Sequence, residues 1–439
     1  MKGLTLRDIL TVTDGVPLGG FRDWDMECPS IVTHSKAAFA PSLFVPCRGV
    51  KNDGHDFIEE ALDKGCVGCF TERELPAYRE GKLYIRVENA LEAAWKIAAL
   101  WRSRLKAKLI CVTGSVGKTT TTGMTANVLR QRFRVFQTVG NDNDEFLVPS
   151  MISRIESECE FAVIELGLGL NSDVSKMARI LRPDVMALTN VGYAHIEKYG
   201  SLEKTRDEKC GTEKGLAPGG RVIINGDDPL LRKYDYAHPV FTYGTDRRND
   251  VSLDDGSFPV TARHLTYPTL AAVAVGRLFG LDADEIASGV FGFRQESGRM
   301  DVIERDGFTL IDSSFNASPA SMKMALDALS EYDGKRVAVL GDMLELGAYA
   351  DELHTEIGAY ATSGKADVLV AVGEYADAVL NGLRNDNVAA MKCADCAEAF
   401  DMLAGIIRQC RSDGEKCVVM CKGSHGSNLH RLVGKLKEL

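Results

Sequence analysis

A glycine-rich stretch between an apolar strand and a helix constrains the fold of this chain more than any other feature. Glycines let backbone N–H groups turn toward a phosphate, and a helix N-terminus adds positive potential there. A lysine at this point can reach the β- and γ-phosphates of a nucleotide, and a following threonine suits Mg²⁺. The stretch therefore predicts a phosphate-binding loop. Its residues are Gly114, Ser115, Val116, Gly117, Lys118, Thr119 and Thr120.

Short apolar runs that have the pattern of buried strands surround this loop and continue toward the end of the chain. Helical patterns separate them, which indicates parallel sheets covered on both faces. At roughly 150 residues per domain, a chain of 439 residues suggests about three domains. The predicted strands are 108–112, 161–165, 185–190 and 221–225 in one block, and 308–312, 336–342, 367–373 and 416–424 in a second.

We predict an α/β fold of three domains. Residues 1–106 form a smaller α/β domain without a phosphate loop. Residues 107–298 form a P-loop-type doubly wound parallel sheet, and residues 299–439 form a Rossmann-like domain. In such sheets ligands bind at the carboxyl ends of the strands, so we expect the functional site there.

Composition and charge exclude several classes of function. The 52 Lys and Arg against 62 Asp and Glu give a net charge of −10, which argues against a general nucleic-acid or anionic-membrane binder. The N-terminus lacks the apolar core of a signal peptide, and no run reaches the roughly 18 apolar residues of a membrane helix. Many of the twelve cysteines lie in apolar runs, as buried thiols do in a reducing compartment. We expect a cytoplasmic protein with no nucleic-acid partner and no membrane insertion.

Two further side chains stand where a doubly wound sheet collects its ligands. Glu165 ends one predicted strand, and His195 follows another by a short loop. A carboxylate and an imidazole beside the phosphates would form a cation site, although either residue alone could equally be a solvated loop residue. From composition alone, Lys209 is a surface lysine, and Asn141 and Asn143 belong to an ordinary polar turn.

Several motifs together resemble those of the Mur ligases, and within them the MurF branch. The resemblance covers nearly the whole chain, and the motifs are specific in combination. They are SLFVPCRGVKNDGHDFIEEALDKG (42–65), GSVGKTT (114–120), IELG (164–167), TNVGYAH (189–195), VLGDMLELG (339–347) and KGS (422–424).

The resemblance implies an ATP-dependent ligase that joins a carboxylate to an amine through an acyl-phosphate. For the MurF branch the substrates would be UDP-N-acetylmuramoyl-tripeptide and D-alanyl-D-alanine, in peptidoglycan biosynthesis. The implied cofactors are ATP and two Mg²⁺ ions, and we expect a monomer. Residues 1–106 would bind the UDP-sugar, residues 107–298 would bind ATP, and residues 299–439 would complete the ligase.

The resemblance also implies roles in catalysis and metal binding. Lys118, Lys209 and His195 would be catalytic. Lys209 falls where the family carries a carbamylated lysine, whose added carboxylate helps to hold a second Mg²⁺. The implied metal-binding residues are Thr119, Glu165, His195 and Lys209.

Further positions would bind the nucleotide and the substrates. The loop 114–120 would hold ATP, Arg299 would reach toward its phosphates, and Asp312 would lie at the nucleotide. The implied substrate-binding residues are Ser35, Asn141, Asn143 and Asn316.

Some positions depart from the family's pattern, while the phosphate and metal positions are retained. Pro268 occupies the place of an asparagine that would contact adenine, and HSK (34–36), DSSFNASP (312–319) and KGSH (422–425) differ from the usual motifs. This pattern fits a divergent paralogue. Three hypotheses stay open: the MurF reaction, a Mur-type ligase with a different amine or acyl acceptor, and a nucleotide-binding scaffold without ligase activity.

Overall fold

Three β-sheets follow one another along the chain, each with helices packed against it. The computed structural model describes residues 1–49, 52–140, 143–167, 173–255, 258–385 and 387–439. The first sheet and its helices consist of α1 (Leu6–Thr13), β1 (Val16–Leu18), β2 (Ser30–Val32), β3 (Ser42–Phe44), α2 (Ile58–Asp63), β4 (Gly68–Thr71), β5 (Leu83–Arg86) and α3 (Ala90–Arg104). Their strand order is β1-β5-β4-β3-β2, parallel except for β1 against β5.

The central sheet is wholly parallel. Its elements are β6 (Lys108–Thr113), α4 (Lys118–Leu129), β7 (Val135–Gln137), α5 (Val148–Ser153), β8 (Phe161–Glu165), α6 (Val174–Leu181), β9 (Val185–Leu188), α7 (Ile196–Tyr199), α8 (Leu202–Gly211), β10 (Arg221–Asn225), α9 (Pro229–Arg232), β11 (Val240–Tyr243), α10 (Thr266–Leu278) and α11 (Ala283–Phe291). The strand order is β11-β10-β9-β6-β8-β7. The chain leaves β6 toward one edge and later crosses to its other side, so the topological switch lies beside β6. That is where a doubly wound sheet opens a ligand crevice.

The third sheet is parallel except at one edge. Its elements are β12 (Asp301–Arg305), β13 (Phe308–Ser313), α12 (Pro319–Leu329), β14 (Lys335–Leu340), α13 (Ala350–Ala361), β15 (Val368–Val372), α14 (Ala376–Asn381), β16 (Ala389–Cys393), α15 (Cys396–Asp413), β17 (Cys417–Lys422) and α16 (Leu429–Leu436). The order is β12-β13-β17-β14-β15-β16, with β12 antiparallel to β13. The strands β13 and β17 are neighbours, so residues that follow them lie at the same edge.

The predicted α/β fold class is confirmed. All eight strands predicted from apolar runs are present, with ends that agree within two residues. In the central and third sheets the prediction missed β7, β11, β12 and β16, which are edge strands, and it gave no individual strands for the first sheet. An edge strand is covered on fewer sides, and β12 accordingly has mostly exposed or half-buried residues that interrupt the apolar run.

One apolar core joins the N-terminal and central sheets. A continuous buried cluster runs from Leu4 to Leu231 and includes side chains of both. The Trp101 indole N–H donates to the carbonyl of Ile155 over 3.0 Å, and the Ile31 amide donates to Ser153 Oγ over 3.0 Å. The third sheet has buried clusters of its own. We propose domain boundaries near residues 106 and 299, between consecutive sheets.

The predictions about the cysteines and about membrane-spanning helices can be compared with the structure. All twelve cysteines are free, and most are buried, as the apolar runs around them predict. Burial raises the pKa of the Cys47 and Cys111 thiols to about 12. Among the described residues, no helix combines the length and apolar character needed to cross a membrane.

Candidate active site

A cleft of about 370 Å³ lies between the switch point of the central sheet and the strand ends of the third sheet. It brings together most of the residues that the sequence singles out. Of the predicted site residues, those lining it are Ser115, Val116, Gly117, Lys118, Thr119, Thr120, Asn143, Glu165, His195, Arg299 and Asn316.

The phosphate loop follows β6 and opens α4 at Lys118, as predicted. Gly117 is the N-cap of this helix and has a φ of 82°, a conformation that favours glycine. Gly114 has a φ of 149°, and a Cβ placed on it would lie 1.9 Å from Thr189 Oγ1. Both glycines are therefore required by the backbone of the loop.

The loop after β9 braces the phosphate loop. Asn190 exchanges two hydrogen bonds with the backbone of Val116, each of 2.9 Å, and Thr189 Oγ1 donates to the Val116 carbonyl over 2.7 Å. The Gly192 amide donates to Ser115 Oγ over 2.7 Å. From the sequence alone, Thr189 and Asn190 carry no role beyond the family motif. The sequence feature that could have indicated this contact is their position directly after a strand adjacent to the phosphate loop.

The Lys118 side chain is held inside this loop. Its ammonium donates to the carbonyl of Gly114 over 3.0 Å. Burial lowers the pKa of Lys118, the charge of Glu165 opposes that shift, and the charge of Arg299 adds to it. Lys118 therefore lies among the charged groups of the cleft, where it can meet the phosphates of a nucleotide.

A carboxylate and a hydroxyl lie beside the lysine at the floor of the cleft. Glu165 ends β8, is 3% exposed, and accepts a hydrogen bond of 2.7 Å from Asn143 Nδ2. Thr119 is buried, and its Oγ1 has no hydrogen-bond partner among the described residues. A buried hydroxyl without a partner is costly, and a bound cation would satisfy it.

His195 also lines the cleft and contacts a residue of the block that contains the third sheet. Its Nδ1 faces the Glu345 carboxylate, which the sequence did not single out. Burial lowers the pKa of His195, and the close carboxylate of Glu345 acts against this shift. The same contact lowers the pKa of Glu345, and burial opposes it.

Lys209 is buried behind the cleft, on α8. It is 1% exposed, and its Nζ has no hydrogen-bond partner in the described part of the chain. Burial, aided by the nearby charge of Lys118, lowers the pKa of Lys209 well below its ordinary value. The sequence alone suggests a surface lysine, so this burial supports the interpretation taken from the family motif.

The other wall of the cleft comes from the third sheet. The Arg299 guanidinium stacks 4.2 Å from the centroid of the Phe315 ring, and burial lowers its pKa. Lys422 ends β17 and donates to Ser313 Oγ over 3.1 Å and to the Asn316 carbonyl over 2.9 Å. Burial, aided by the charge of Arg299, lowers the pKa of Lys422 to about 7. Lys422 thus fixes the loop that carries Asn316 at the cleft.

Not every predicted site residue lines this cleft. Ser35 is buried beside β2 and donates to Glu60 Oε2 over 3.2 Å. Asp312 is buried, accepts a 2.7 Å hydrogen bond from Ser314 Oγ and pairs with Lys437 at 3.4 Å. Gly114 shapes the backbone of the phosphate loop without lining the cleft, and Asn141 lies outside the described residues.

The part of the cleft where the family resemblance places the nucleotide base contains aromatic and amide groups despite the changed motif. His264 Nε2 lies 3.1 Å from Gln295 Oε1, and both residues line the cleft beside Tyr267 and Pro268. No group of three or more His, Cys, Asp or Glu side chains within the described ranges has the arrangement of a metal cluster. A cation at this site would therefore need phosphate oxygens as well as protein ligands.

A braced phosphate loop that faces the strand ends of a second α/β layer fits an ATP-dependent ligase. The chain belongs to the Mur ligase family, within its MurF branch. The model of the Mur ligase middle domain matches residues 112–270, and that of the Mur ligase, glutamate ligase domain matches residues 298–425.

Relatives and solved structures match over nearly the whole chain. The UDP-N-acetylmuramoyl-tripeptide–D-alanyl-D-alanine ligase of Bacillus subtilis is 31% identical over 93% of each chain, and the Escherichia coli enzyme of the same name is 27% identical over 100% of this chain and 99% of its own. MurF from Acinetobacter baumannii has a TM-score of 0.88 at 25% identity, covering 99% of both chains. MurF ligase from Thermotoga maritima in complex with ADP has a TM-score of 0.79 at 26% identity, covering 93% of this chain and 97% of its own.

Proposed function

We propose that this chain adds D-alanyl-D-alanine to UDP-N-acetylmuramoyl-tripeptide, with ATP as the energy source, in peptidoglycan biosynthesis. The observation that carries the proposal is the cleft itself. It places the phosphate loop, Glu165 and His195 opposite Arg299 and the loop held by Lys422. The relatives that match over the whole chain carry this reaction in their names.

The chemistry follows from the low reactivity of a carboxylate toward an amine. A carboxylate oxygen of the tripeptide attacks the γ-phosphorus of ATP, ADP leaves, and an acyl-phosphate forms. The dipeptide amine then attacks the acyl carbon, phosphate leaves, and the amine loses a proton. Phosphoryl transfer needs in-line positioning and neutralised equatorial oxygens.

The phosphate loop and the opposite wall supply positive charge to this transfer. The backbone N–H groups at the start of α4 point toward the phosphates, and Lys118 neutralises the transferring group. Arg299 approaches from the third sheet, where its stacking on Phe315 fixes the plane of the guanidinium.

The side chains around Lys118 fit a magnesium site. Thr119 Oγ1 is buried without a partner in the described ranges, Glu165 presents a carboxylate, and His195 presents an imidazole. When bound with ATP, Mg²⁺ would neutralise the phosphate oxygens and orient them. The residues that would hold it are Thr119, Glu165 and His195.

We propose that Lys209 carries a carbamate that helps to hold a second Mg²⁺. A neutral amine reacts with CO₂ to form an N–C bond, giving a carbamate anion and releasing a proton. Burial and the charge of Lys118 lower the pKa of Lys209, which increases the fraction of neutral amine, the form that can react in this way. The carbamate anion would also be attracted to the nearby ammonium of Lys118.

The remaining parts of the proposal concern substrate binding, oligomeric state and cellular location. Ser35 and its neighbours would bind the uridine diphosphate, and Asn141, Asn143 and Asn316 would approach the acyl substrate or the dipeptide. We propose that the enzyme acts as a monomer in the cytoplasm, where ATP and UDP-linked precursors are present.

Phosphate release from ATP tests the reaction, followed by mass analysis of the products. We expect release only when UDP-N-acetylmuramoyl-tripeptide and D-alanyl-D-alanine are both present, with a pentapeptide product. Release that needs the tripeptide but another amine would indicate a different acceptor. Nucleotide binding without any release would indicate a scaffold and contradict the proposal.

A further inference from the structure

A carboxylate of the third sheet reaches the proposed metal site of the central sheet. Glu345 lies in the loop between β14 and α13, and its carboxylate contacts His195 Nδ1. The His195 side chain is 18% exposed and that of Glu345 is 37% exposed, so the contact is partly shielded from water. The reaction described above assigns no role to Glu345.

Both residues have a positive φ. His195 and Glu345 each have a φ of 62°, a value that histidine adopts more often than most residues and glutamate rarely adopts. Such conformations persist where the surroundings impose them. The Glu197 amide donates to the Glu345 carbonyl over 3.3 Å, so the two segments also meet through their backbones.

The loop that carries Glu345 is fixed within its own layer. The Met343 amide donates to His354 Nε2 over 2.9 Å, and the Leu344 amide donates to Ser424 Oγ over 3.0 Å. The Asp342 carboxylate accepts hydrogen bonds from the backbone amides of Glu374 and Tyr375, in the loop between β15 and α14. Glu345 is therefore presented on a rigid support.

The same loop is docked on the segment that follows His195. Ile196 is 1% exposed and packs in the buried cluster of the third sheet with Met343 and Leu346. The Tyr349 hydroxyl donates to the Gly200 carbonyl over 3.3 Å. The contact between His195 and Glu345 is thus part of a packed interface between the two layers.

We propose that Glu345 is a positioning residue that sets the tautomer of His195 and thereby the metal affinity of the site. A neutral imidazole that donates its Nδ1 proton to Glu345 keeps the Nε2 lone pair for a cation. Because Glu345 belongs to the third sheet, the metal site is complete only when that layer is docked. This inference rests on the proposed function, in which His195 is a metal ligand.

Removing such a partner costs about 10- to 100-fold in metal affinity. The variants are Glu345→Ala, Glu345→Gln, and the control Glu352→Gln, which changes an exposed glutamate at the start of α13. In metal-free protein, histidine ¹⁵N spectra report which ring nitrogen of His195 carries the proton. Mn²⁺ titration by electron paramagnetic resonance, with a non-hydrolysable ATP analogue, reports metal affinity.

We expect the parent protein, the Glu352→Gln variant and the Glu345→Gln variant to show protonated Nδ1, because the glutamine oxygen still accepts. Glu345→Ala should shift the proton toward Nε2 and weaken Mn²⁺ binding by about 10- to 100-fold. Protonated Nε2 in the parent protein, or unchanged Mn²⁺ affinity in Glu345→Ala, would overturn the inference.

His195→Ala separates this inference from the proposed function. If it binds Mn²⁺ as tightly as the parent does, the metal-ligand role of His195 is wrong, and the inference falls with it. If His195→Ala weakens Mn²⁺ binding and Glu345→Ala does not, only the positioning role fails.

Discussion

At the scale of single residues, the buried lysine on α8 is the group with the most unusual chemistry. An ammonium buried without a hydrogen-bond partner costs several kcal/mol, so burial lowers the pKa of such a group. Lys209 meets this description among the described residues, and Lys118 adds a second positive charge nearby. The proposed carbamate would account for a lysine at a place that disfavours the ammonium form.

Lys209→Ala is expected to lower the rate of phosphate release by about 100-fold or more, because a metal-holding group is lost. Added bicarbonate or a short carboxylic acid should restore part of the rate by filling the space with a carboxylate. Steady-state assays with both substrates measure this effect. Lys204→Ala changes an exposed lysine of the same helix and should keep the parent rate. Full activity in Lys209→Ala would contradict the carbamate.

At the scale of elements, the phosphate loop depends on the loop after β9 as much as on its own sequence. Thr189 and Asn190 bond to the Val116 backbone, and Gly114 leaves room for Thr189. The loop is therefore held in one conformation by contacts within the protein. Such preorganisation lowers the entropy that binding must offset.

Gly114→Ala tests this arrangement. The added Cβ would lie 1.9 Å from Thr189 Oγ1, and a φ of 149° is unfavourable for alanine, so the loop must shift. We expect nucleotide affinity, measured by titration calorimetry, to fall by about tenfold or more, which corresponds to about 1.4 kcal/mol. Gly434→Ala is the control, since its Cβ would meet nothing within 4 Å. Equal affinity in both variants would show that the close approach is unimportant.

Much of the site could be predicted from the sequence, because its parts are local. The phosphate loop, Glu165 and His195 each follow an apolar run, and parallel strands bring such positions to one edge. The contacts of Asn190 with Val116 and of His195 with Glu345 could not be predicted, because they join residues 74 and 150 positions apart. The burial of Lys209 could not be predicted either, since the residues directly before it, 206–208, are all charged.

At the scale of the whole molecule, the buried Lys422 at the cleft wall makes the free energy of unfolding depend on pH. Burial lowers the pKa of Lys422 from 10.5 to about 7. Between these values the unfolded chain binds more protons than the folded one, so stability rises with pH. Below about pH 7 the folded protein must bury a charged ammonium, and this penalty is then fully present.

Lys422→Met removes this group while keeping a long side chain. We expect the free energy of unfolding of the parent protein, relative to this variant, to rise by up to about 1.4 kcal/mol per pH unit above pH 7. Urea unfolding at pH 6.5, 8 and 9.5 measures the difference. Lys416→Met, at an exposed position, should show a constant difference from the parent. A constant difference for Lys422→Met as well would contradict the lowered pKa.

The core shared by the first two sheets affects how the molecule unfolds. One buried cluster includes side chains of both of the first two sheets, whereas the clusters of the third sheet share with the central block, among their buried described residues, only Ile196. Side chains that share a core lose their packing together. We therefore expect the first two sheets to unfold together and the third sheet to unfold as a second unit, so that a partly denatured molecule would retain either the nucleotide loop with the N-terminal sheet or the C-terminal layer alone.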